Sequence, residues 1–374
     1  MGKISKLALS NQNKNLKIAL IGYRLRGGGA EKVQANLSFF FERNGISVTH
    51  IIVLDELGYP FAGKVENLGK LKNNSNGVFN KLKRMFYLKQ FLNKEQFDLL
   101  IDFRFRNKPF QEFFISKWIY KTPTIFTVHS YLIDHYIPKN RLLAQLIYAQ
   151  KPIVAITQAA KKRIEVAHGF KNVHCIYNPI DVVEISKVYN ESIPFDFDFI
   201  ISMGQMETDI KQFDVLISAY AKSNLPQKNI HLVLLGEGKL QVNYKELAVK
   251  LGIEDKVHFV GYANNPFAYI RKALFYVLTS KNEGLPVSLL EALACETPLV
   301  AYDCLSGPNE IIVPNKNGVL VPNQDKNALI AAFNKMLNDV DFYQNCKQNC
   351  SNSLVSFEIE NVGKQWVQLI NQTL

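Results

Sequence analysis

Short apolar runs alternate with longer amphipathic segments along this chain, and the alternation stops once and then starts again. Residues 16–22, 47–54, 99–103, 124–128 and 153–156 read as strands, with helical patterns between most of them. That is the signature of a parallel α/β architecture, in which helices cover a sheet on its faces. After Tyr177-Asn178-Pro179 an irregular stretch runs to Pro194, and residues 199–203, 231–235, 258–260, 275–278 and 299–301 then repeat the pattern. A length of 374 residues is too great for one ordinary core and fits two. We therefore expect one domain over 1–180 and a second over 196–374. Residues 359–374 show apolar positions at helical spacing with no strand after them, which predicts a packed closing helix, with crossing back to the first domain left open.

Composition excludes several classes. Neither Gly nor Pro is frequent enough for low complexity, and 47% hydrophobic against 21% charged residues is the range of a protein that folds on its own core. Five cysteines, Cys175, Cys295, Cys304, Cys346 and Cys350, are odd in number and lack a C-x-x-C pair, so neither a disulfide framework nor a zinc ribbon is suggested. A reducing, cytoplasmic compartment fits this usage. The start, residues 1–15, is polar and lysine-bearing, and the apolar run at 18–21 is shorter than a signal-peptide core, so no secretion signal is expected. Nothing approaches the ~20 consecutive apolar residues of a spanning helix, which leaves peripheral membrane contact only. The formal charge of +11 is uneven: residues 1–180 carry 28 Lys+Arg against 11 Asp+Glu, and the rest 16 against 22. A basic half suits nucleic acid, an anionic membrane or a phosphorylated substrate, or is simply a solvated lysine-rich surface.

In open parallel sheets, ligands bind beyond the carboxyl ends of strands, where helix N-termini present free N–H groups to anions. The loop after 275–278 reads Ser280-Lys281-Asn282-Glu283-Gly284-Leu285-Pro286, with Pro286 suited to a first helical turn and Glu291 about two turns further on. Gly284 lets backbone amides approach a ligand, so carboxylates, amides and a positive helix end converge. Carboxylates accept hydrogen bonds from sugar and ribose hydroxyls while amides hold phosphate oxygens, chemistry that suits a polyhydroxylated diphosphate.

The run from Glu283 to Glu291, two glutamates with seven residues between, resembles the signature of the family 4 retaining glycosyltransferases. Asp303-Cys304-Leu305-Ser306-Gly307-Pro308-Asn309-Glu310 and Asn317-Gly318-Val319-Leu320 are similar to the segments that follow it there. The likeness continues upstream in Leu235-Gly236-Glu237-Gly238, in Val260-Gly261-Tyr262, in Asn178-Pro179-Ile180-Asp181 and in Gly28-Gly29-Ala30-Glu31, so it spans nearly the whole chain. It implies the GT-B fold, two Rossmann-like domains facing a cleft, with a nucleotide-sugar donor held mainly by the second and the acceptor by the first.

Residue by residue, the resemblance has Glu283 bind donor-sugar hydroxyls with amides around Gly284 and Leu285, Glu291 bind ribose, and the base lie near Gly261 and Tyr262. Gly236 falls in the same donor set. Lys211 supplies a cation to the diphosphate, whereas Gln205 stands where the family usually has arginine, and a neutral amide offers no charge-assisted bond. His129, ending a predicted strand, matches the histidine that reaches the donor sugar, and the loop of Arg24, Arg26, Gly28 and Gly29 offers amides and arginines to phosphate. Catalysis would rest on Glu283, His129 and Lys211, with uridine as the implied base and the departing diphosphate oxygen taking the acceptor proton.

Two features of the basic half point to the acceptor. Arg104 and Arg106, just past a strand, are placed to grip an acceptor phosphate. Residues 79–89 set Phe79, Leu82, Met85 and Phe86 at helical spacing beside Lys81, Lys83 and Arg84, a pattern that either packs inward or lies on an anionic bilayer. The expectation is thus a cytoplasmic glycosyltransferase, peripheral to the membrane, that extends a lipid-linked or surface glycan such as lipopolysaccharide or capsule. The alternatives are a nucleotide-sugar epimerase of the same fold or a non-catalytic sugar-nucleotide-binding protein. No cofactor and no metal are expected: Asp196-Phe197-Asp198 imitates a metal-binding pair but reads as a strand entrance, and His168, His174 and Cys175 lack zinc spacing. Nucleic acid is not expected as a partner, because no aromatic-basic recognition motif accompanies the charge.

Overall fold

Apolar runs buried on both sides become the centres of two parallel sheets in the computed structural model, which describes residues 16–72 and 77–374. The lysine-bearing start lies outside the described residues. The first unit runs to Pro179 and also takes in Ile359–Leu374, while Ile180–Glu358 forms the second.

The first unit contains β1 (Lys17–Gly22), β2 (Ser47–Ile52), β3 (Lys64–Asn67), β4 (Leu99–Asp102), β5 (Thr124–Val128), β6 (Ile153–Ala155) and β7 (Val173–Cys175), ordered β3-β2-β1-β4-β5-β6-β7. All neighbours are parallel. The period of two along β1 divides its side chains between two cores. Ile18 and Leu20 pack with Leu37 and Phe40 of the helix Gly29–Arg43 and with Val362 and Trp366 of the helix Ile359–Thr373. Ala19 and Ile21 face the opposite layer, where Leu88, Ile115, Ile119 and Ile147 lie. The closing helix belongs to the first unit because its apolar stripe completes that first layer. Gly363 permits the approach, since a Cβ there would stand 2.4 Å from the Phe40 ring. The strands β3 and β7 carry too few apolar residues to be read from sequence, and both are edges whose partners supply their order.

The second unit contains β8 (Phe199–Met203), β9 (His231–Leu235), β10 (Val257–Gly261), β11 (Tyr276–Leu278), β12 (Leu299–Tyr302) and β13 (Gly318–Val321), ordered β10-β9-β8-β11-β12-β13 and again parallel. The stretch read as irregular after Pro179 holds a helix, Val182–Val188. Asp181 caps it by accepting from the Glu184 amide, and Ile180 N–H donates to the Phe357 carbonyl at 2.8 Å, which ties this stretch into the second unit.

Both sheets reverse direction of strand order at one place, between β1 and β4 and between β8 and β11. Loops leaving neighbouring strands there diverge and open a crevice at the carboxyl edge. Those loops carry Arg24 to Gly29, Arg104 and Arg106, Gln205 and Lys211, and Glu283 to Leu285, while His129, Gly236, Gly261 and Tyr262 lie at the ends of the adjoining strands.

Candidate functional site

At the crevice of the second unit, the loop after β8 passes Gly204 and Gln205, makes a turn at Asp209–Lys211, and enters the helix Phe213–Lys222 through Gln212. The loop after β11 carries Thr279 to Pro286 into the helix Val287–Ala294. Lys211 Nζ donates to Glu283 Oε1 at 2.7 Å, joining the two loops across the crevice. Thr279 Oγ1 donates to the Lys211 carbonyl at 2.9 Å, the Lys281 amide donates to the Ile210 carbonyl at 2.8 Å, and Lys281 Nζ pairs with the Asp209 carboxylate. The aliphatic stem of Lys211 lies along Gly204, where any side chain would displace it.

Glycines set how closely neighbouring loops approach. Gly236, at φ +124°, has its α-carbon so near the Gly204 carbonyl that a Cβ would lie 2.0 Å from that oxygen. Gly307, at φ +98°, abuts the Gly284 carbonyl in the same way, and Ser306 Oγ donates to that carbonyl at 3.3 Å. Leu285 turns its side chain into the core. Glu291 is the fifth residue of its helix, a little over one turn in rather than about two, and it is buried rather than a solvated helix residue. At the end of β10, Glu237 Oε1 accepts from the Tyr262 amide at 3.2 Å, and Tyr262 leaves its ring exposed beside an open cleft lined by Val260, Asn265 and Tyr269.

In the first unit His129 follows β5, its ring stacked on Phe103 at 5.4 Å. Thr127 Oγ1 stands 3.0 Å from the Asp102 carbonyl and 3.0 Å from His129 Nε2, and its hydroxyl ties the ring to the end of β4. His129 Nδ1 is buried with no partner among the described residues. Burial, and then the positive charge of Arg106, drive the His129 pKa down to about 3, so the ring is neutral.

Arg104 and Arg106 do not form an acceptor clamp. Arg104 is buried in a two-pronged bond to Asp102, at 3.0 and 2.7 Å, and reaches Glu112 at 2.9 Å. Arg106, also buried, donates to the carbonyls of Asp102, Arg104, Thr127 and Tyr136 and lies over the rings of Phe126, Tyr136 and Tyr148. The carboxylates explain this: with Asp102 fully buried and Glu112 nearly so, their charges need cations, and both guanidinium groups are drawn inward. Arg106 instead ties the end of β5 next to His129 through the Thr127 carbonyl, while Arg104 neutralises Asp102 and Glu112, roles that only the third dimension discloses. Arg24 pairs with Glu56 at 2.8 Å, and Arg26 is exposed. The Glu31 carboxylate fills the space beside Gly28, so a phosphate at this glycine loop has to displace an anion.

The chain matches the model of glycosyltransferase family 4 over residues 27–184 and that of glycosyl transferases group 1 over residues 189–352. Among relatives, an N-acetylgalactosaminyltransferase of Campylobacter jejuni, named for its diacetylbacillosaminyl-diphospho-undecaprenol acceptor, is 28% identical over 86% of this chain and 90% of its own length. A second Campylobacter jejuni enzyme, an alpha-1,4-N-acetyl-D-galactosaminyltransferase, is 27% identical over 95% and 98%. The amylovoran biosynthesis glycosyltransferase of Erwinia amylovora is 23% identical over 92% and 96%. Of solved structures, Anabaena HepE with UDP superposes with a TM-score of 0.74 at 18% identity, covering 96% of this chain and all of that one. A glycosyltransferase of Rickettsia africae reaches a TM-score of 0.78 at 16% identity, covering 96% and 99%.

Two Rossmann-like parallel-sheet domains of this kind are the GT-B fold, and the protein is a glycosyltransferase. The chain belongs to family 4, among enzymes that build surface glycans.

Proposed function

We propose that this protein transfers a sugar from a UDP-linked donor, with retention of anomeric configuration, to a lipid-linked precursor of a surface glycan on the cytoplasmic side of the membrane. The observation that carries the reading is the Lys211–Glu283 pair at the carboxyl edge of the second sheet, where an anion-binding cation and a hydroxyl-binding carboxylate stand 2.7 Å apart. Relatives named for undecaprenol-diphosphate glycans support the acceptor class, and a neighbour of the same fold solved with UDP and glucose supports the donor class.

Each side chain then has one task. Lys211 turns from Glu283 to the diphosphate, whose negative charge grows as the glycosidic oxygen departs, so the interaction is stronger in the transition state than before it. Amides at Gly284 and Leu285 add uncharged donors. Glu283, released from Lys211, accepts from donor-sugar hydroxyls, Glu291 serves the ribose hydroxyls, and Tyr262 lies by the base. His129, neutral and with Nδ1 unpaired among the described residues, makes a further hydrogen bond to a sugar hydroxyl without any proton transfer. The acceptor proton passes to the departing diphosphate oxygen, and no metal or cofactor enters the scheme.

The test is product analysis with a panel of UDP-sugars and a polyprenyl-diphosphate glycan, with the new anomeric linkage read by NMR. An α-linked product from an α-linked donor agrees with the proposal. Inversion, or donor isomerisation without transfer, refutes it.

A further inference from the structure

On the face of the first sheet away from the closing helix, three helical segments lie side by side: Val78–Glu95, Pro109–Ile119 and Arg141–Tyr148. Each already buries one apolar side. Leu88 and Leu92, Ile115 and Ile119, and Ala144 and Ile147 face the sheet. Such helices are expected to be polar outside. These are not.

On the first helix Phe79, Leu82 and Phe86 follow at i, i+3 and i+7 and are exposed, Phe79 at 88%. The sequence pattern left inward packing or a bilayer open for these residues, and only Met85 of that set joins the core. The second segment exposes Phe110, at 86%, with Phe114 and Trp118 at four-residue steps. The third exposes Leu142, at 77%, and Leu146. The second segment packs on both the first and the third, so the three stripes are neighbours. Large apolar side chains standing in water on three adjacent helices cost hydrophobic free energy that a core or partner would recover.

Charge selects the partner. Lys81, Lys83, Lys117 and Arg141 are exposed on the same helices. The three segments contain only two carboxylates, and both are engaged: Glu95 with Lys17 at 2.6 Å and Glu112 with Arg104 at 2.9 Å. A face of aromatic and leucine side chains ringed by cations, with no available anion, matches a bilayer rich in anionic lipid, where rings enter the headgroup boundary and cations meet phosphates. These helices follow β3, β4 and β5 in the chain, so they begin at the sheet edge where His129 also stands.

We propose that this three-helix face inserts shallowly into an anionic leaflet and so holds the first unit, with His129 at the neighbouring edge, at the membrane. The inference does not require the donor or acceptor assigned above, because docking is measured without substrate. Of the two tryptophans Trp366 is buried and Trp118 half-exposed, so fluescence of Trp118 reports insertion. Phosphatidylcholine vesicles with and without phosphatidylglycerol are added to the full chain at low and high salt. We expect a blue shift of Trp118 emission and quenching by brominated lipid with the anionic vesicles, weakened but not abolished by salt, since the apolar part of the binding is unscreened. The variant Phe79→Ser, Phe86→Ser, Phe110→Ser and Leu142→Ser, altered only at exposed positions, should lose at least ~10-fold in vesicle affinity while transfer to a short soluble acceptor is unchanged. Lys81→Glu with Lys83→Glu and Lys117→Glu should remove the preference for anionic lipid. Absence of any wild-type binding to anionic vesicles at low salt overturns the proposal, as does equal binding by the serine variant. A concentration-dependent dimer that the serine variant dissolves, without vesicle binding, assigns the face to a second copy of the chain and also overturns it.

Discussion

Lys211 Nζ stands 2.7 Å from Glu283 Oε1, and through this contact the loop leaving β8 is joined to the loop leaving β11 at the place where the second sheet reverses its strand order. The two side chains are each other's counter-ions, so loss of either changes the other as well as the site.

Glu283→Gln keeps shape and hydrogen bonding but frees Lys211, and it should lower kcat by about 10- to 100-fold, the span of a lost charge-assisted bond. Lys211→Met should lower it more, by about 100- to 1,000-fold, since it removes the cation facing the leaving group. Because both side chains are partly solvated loop groups, melting temperatures should stay near that of the parent. Initial rates together with thermal melts decide this, and near-normal turnover of both variants at limiting donor contradicts the site.

Gln205 is exposed on the loop that carries Lys211. Gln205→Arg should be tolerated and should raise kcat/KM by up to about tenfold, through one added charge-assisted bond to the diphosphate. Steady-state kinetics with the preferred donor test it. A fall in donor affinity instead gives the glutamine amide a role of its own.

Acid should unfold this protein through buried neutral histidines. Burial lowers His129 to about 3, and it lowers His50 to about 4, where Gln34 donates to Nδ1 and Nε2 faces the Ala62 carbonyl. Both folded values lie below the ordinary histidine value near 6.5, so between those limits the unfolded chain binds more protons. The stability each contributes is complete above about pH 6.5 and is lost as pH falls, by about 1–2 kcal/mol per histidine at pH 5. Urea titrations at pH 7.5, 6 and 5 should show this slope, and His50→Gln should flatten it. The same reasoning makes activity between pH 8 and 5 independent of His129 protonation.

Gly363→Ala tests the closing helix. Alanine in a helix interior ordinarily gains about 1 kcal/mol over glycine. Here the added Cβ would stand 2.4 Å from the Phe40 ring, and overpacking of that kind costs about 1–3 kcal/mol. Net destabilisation is expected by thermal melt, with increased protease cleavage near Glu358. A stabilised variant would mean the helix does not press on Phe40.

Sequence by itself determined the strands at the middle of each sheet, because a strand buried on both faces must be apolar throughout, as Ile18–Ile21 and Leu232–Leu235 are. It also marked the loop from Thr279 to Pro286 as the entry to a helix, because Gly284 and Pro286 act through local backbone geometry. But it put Glu291 about two turns into that helix where the structure has it a little over one, since Pro286 is the cap and not part of the first turn. It did not determine the edge strands β3 and β7, whose pairing comes from the neighbour rather than from their own side chains. Nor did it determine the arginines. Arg104 and Arg106 follow a strand as a phosphate clamp would, and what turns them inward is the burial of Asp102 and of Glu112, ten residues apart in the chain, under the same sheet edge. Periodicity marked Phe79, Leu82 and Phe86 as one stripe, but a stripe has two possible directions. Only tertiary packing chose between them, since Leu88 and Leu92 already fill the side of that helix that meets the sheet.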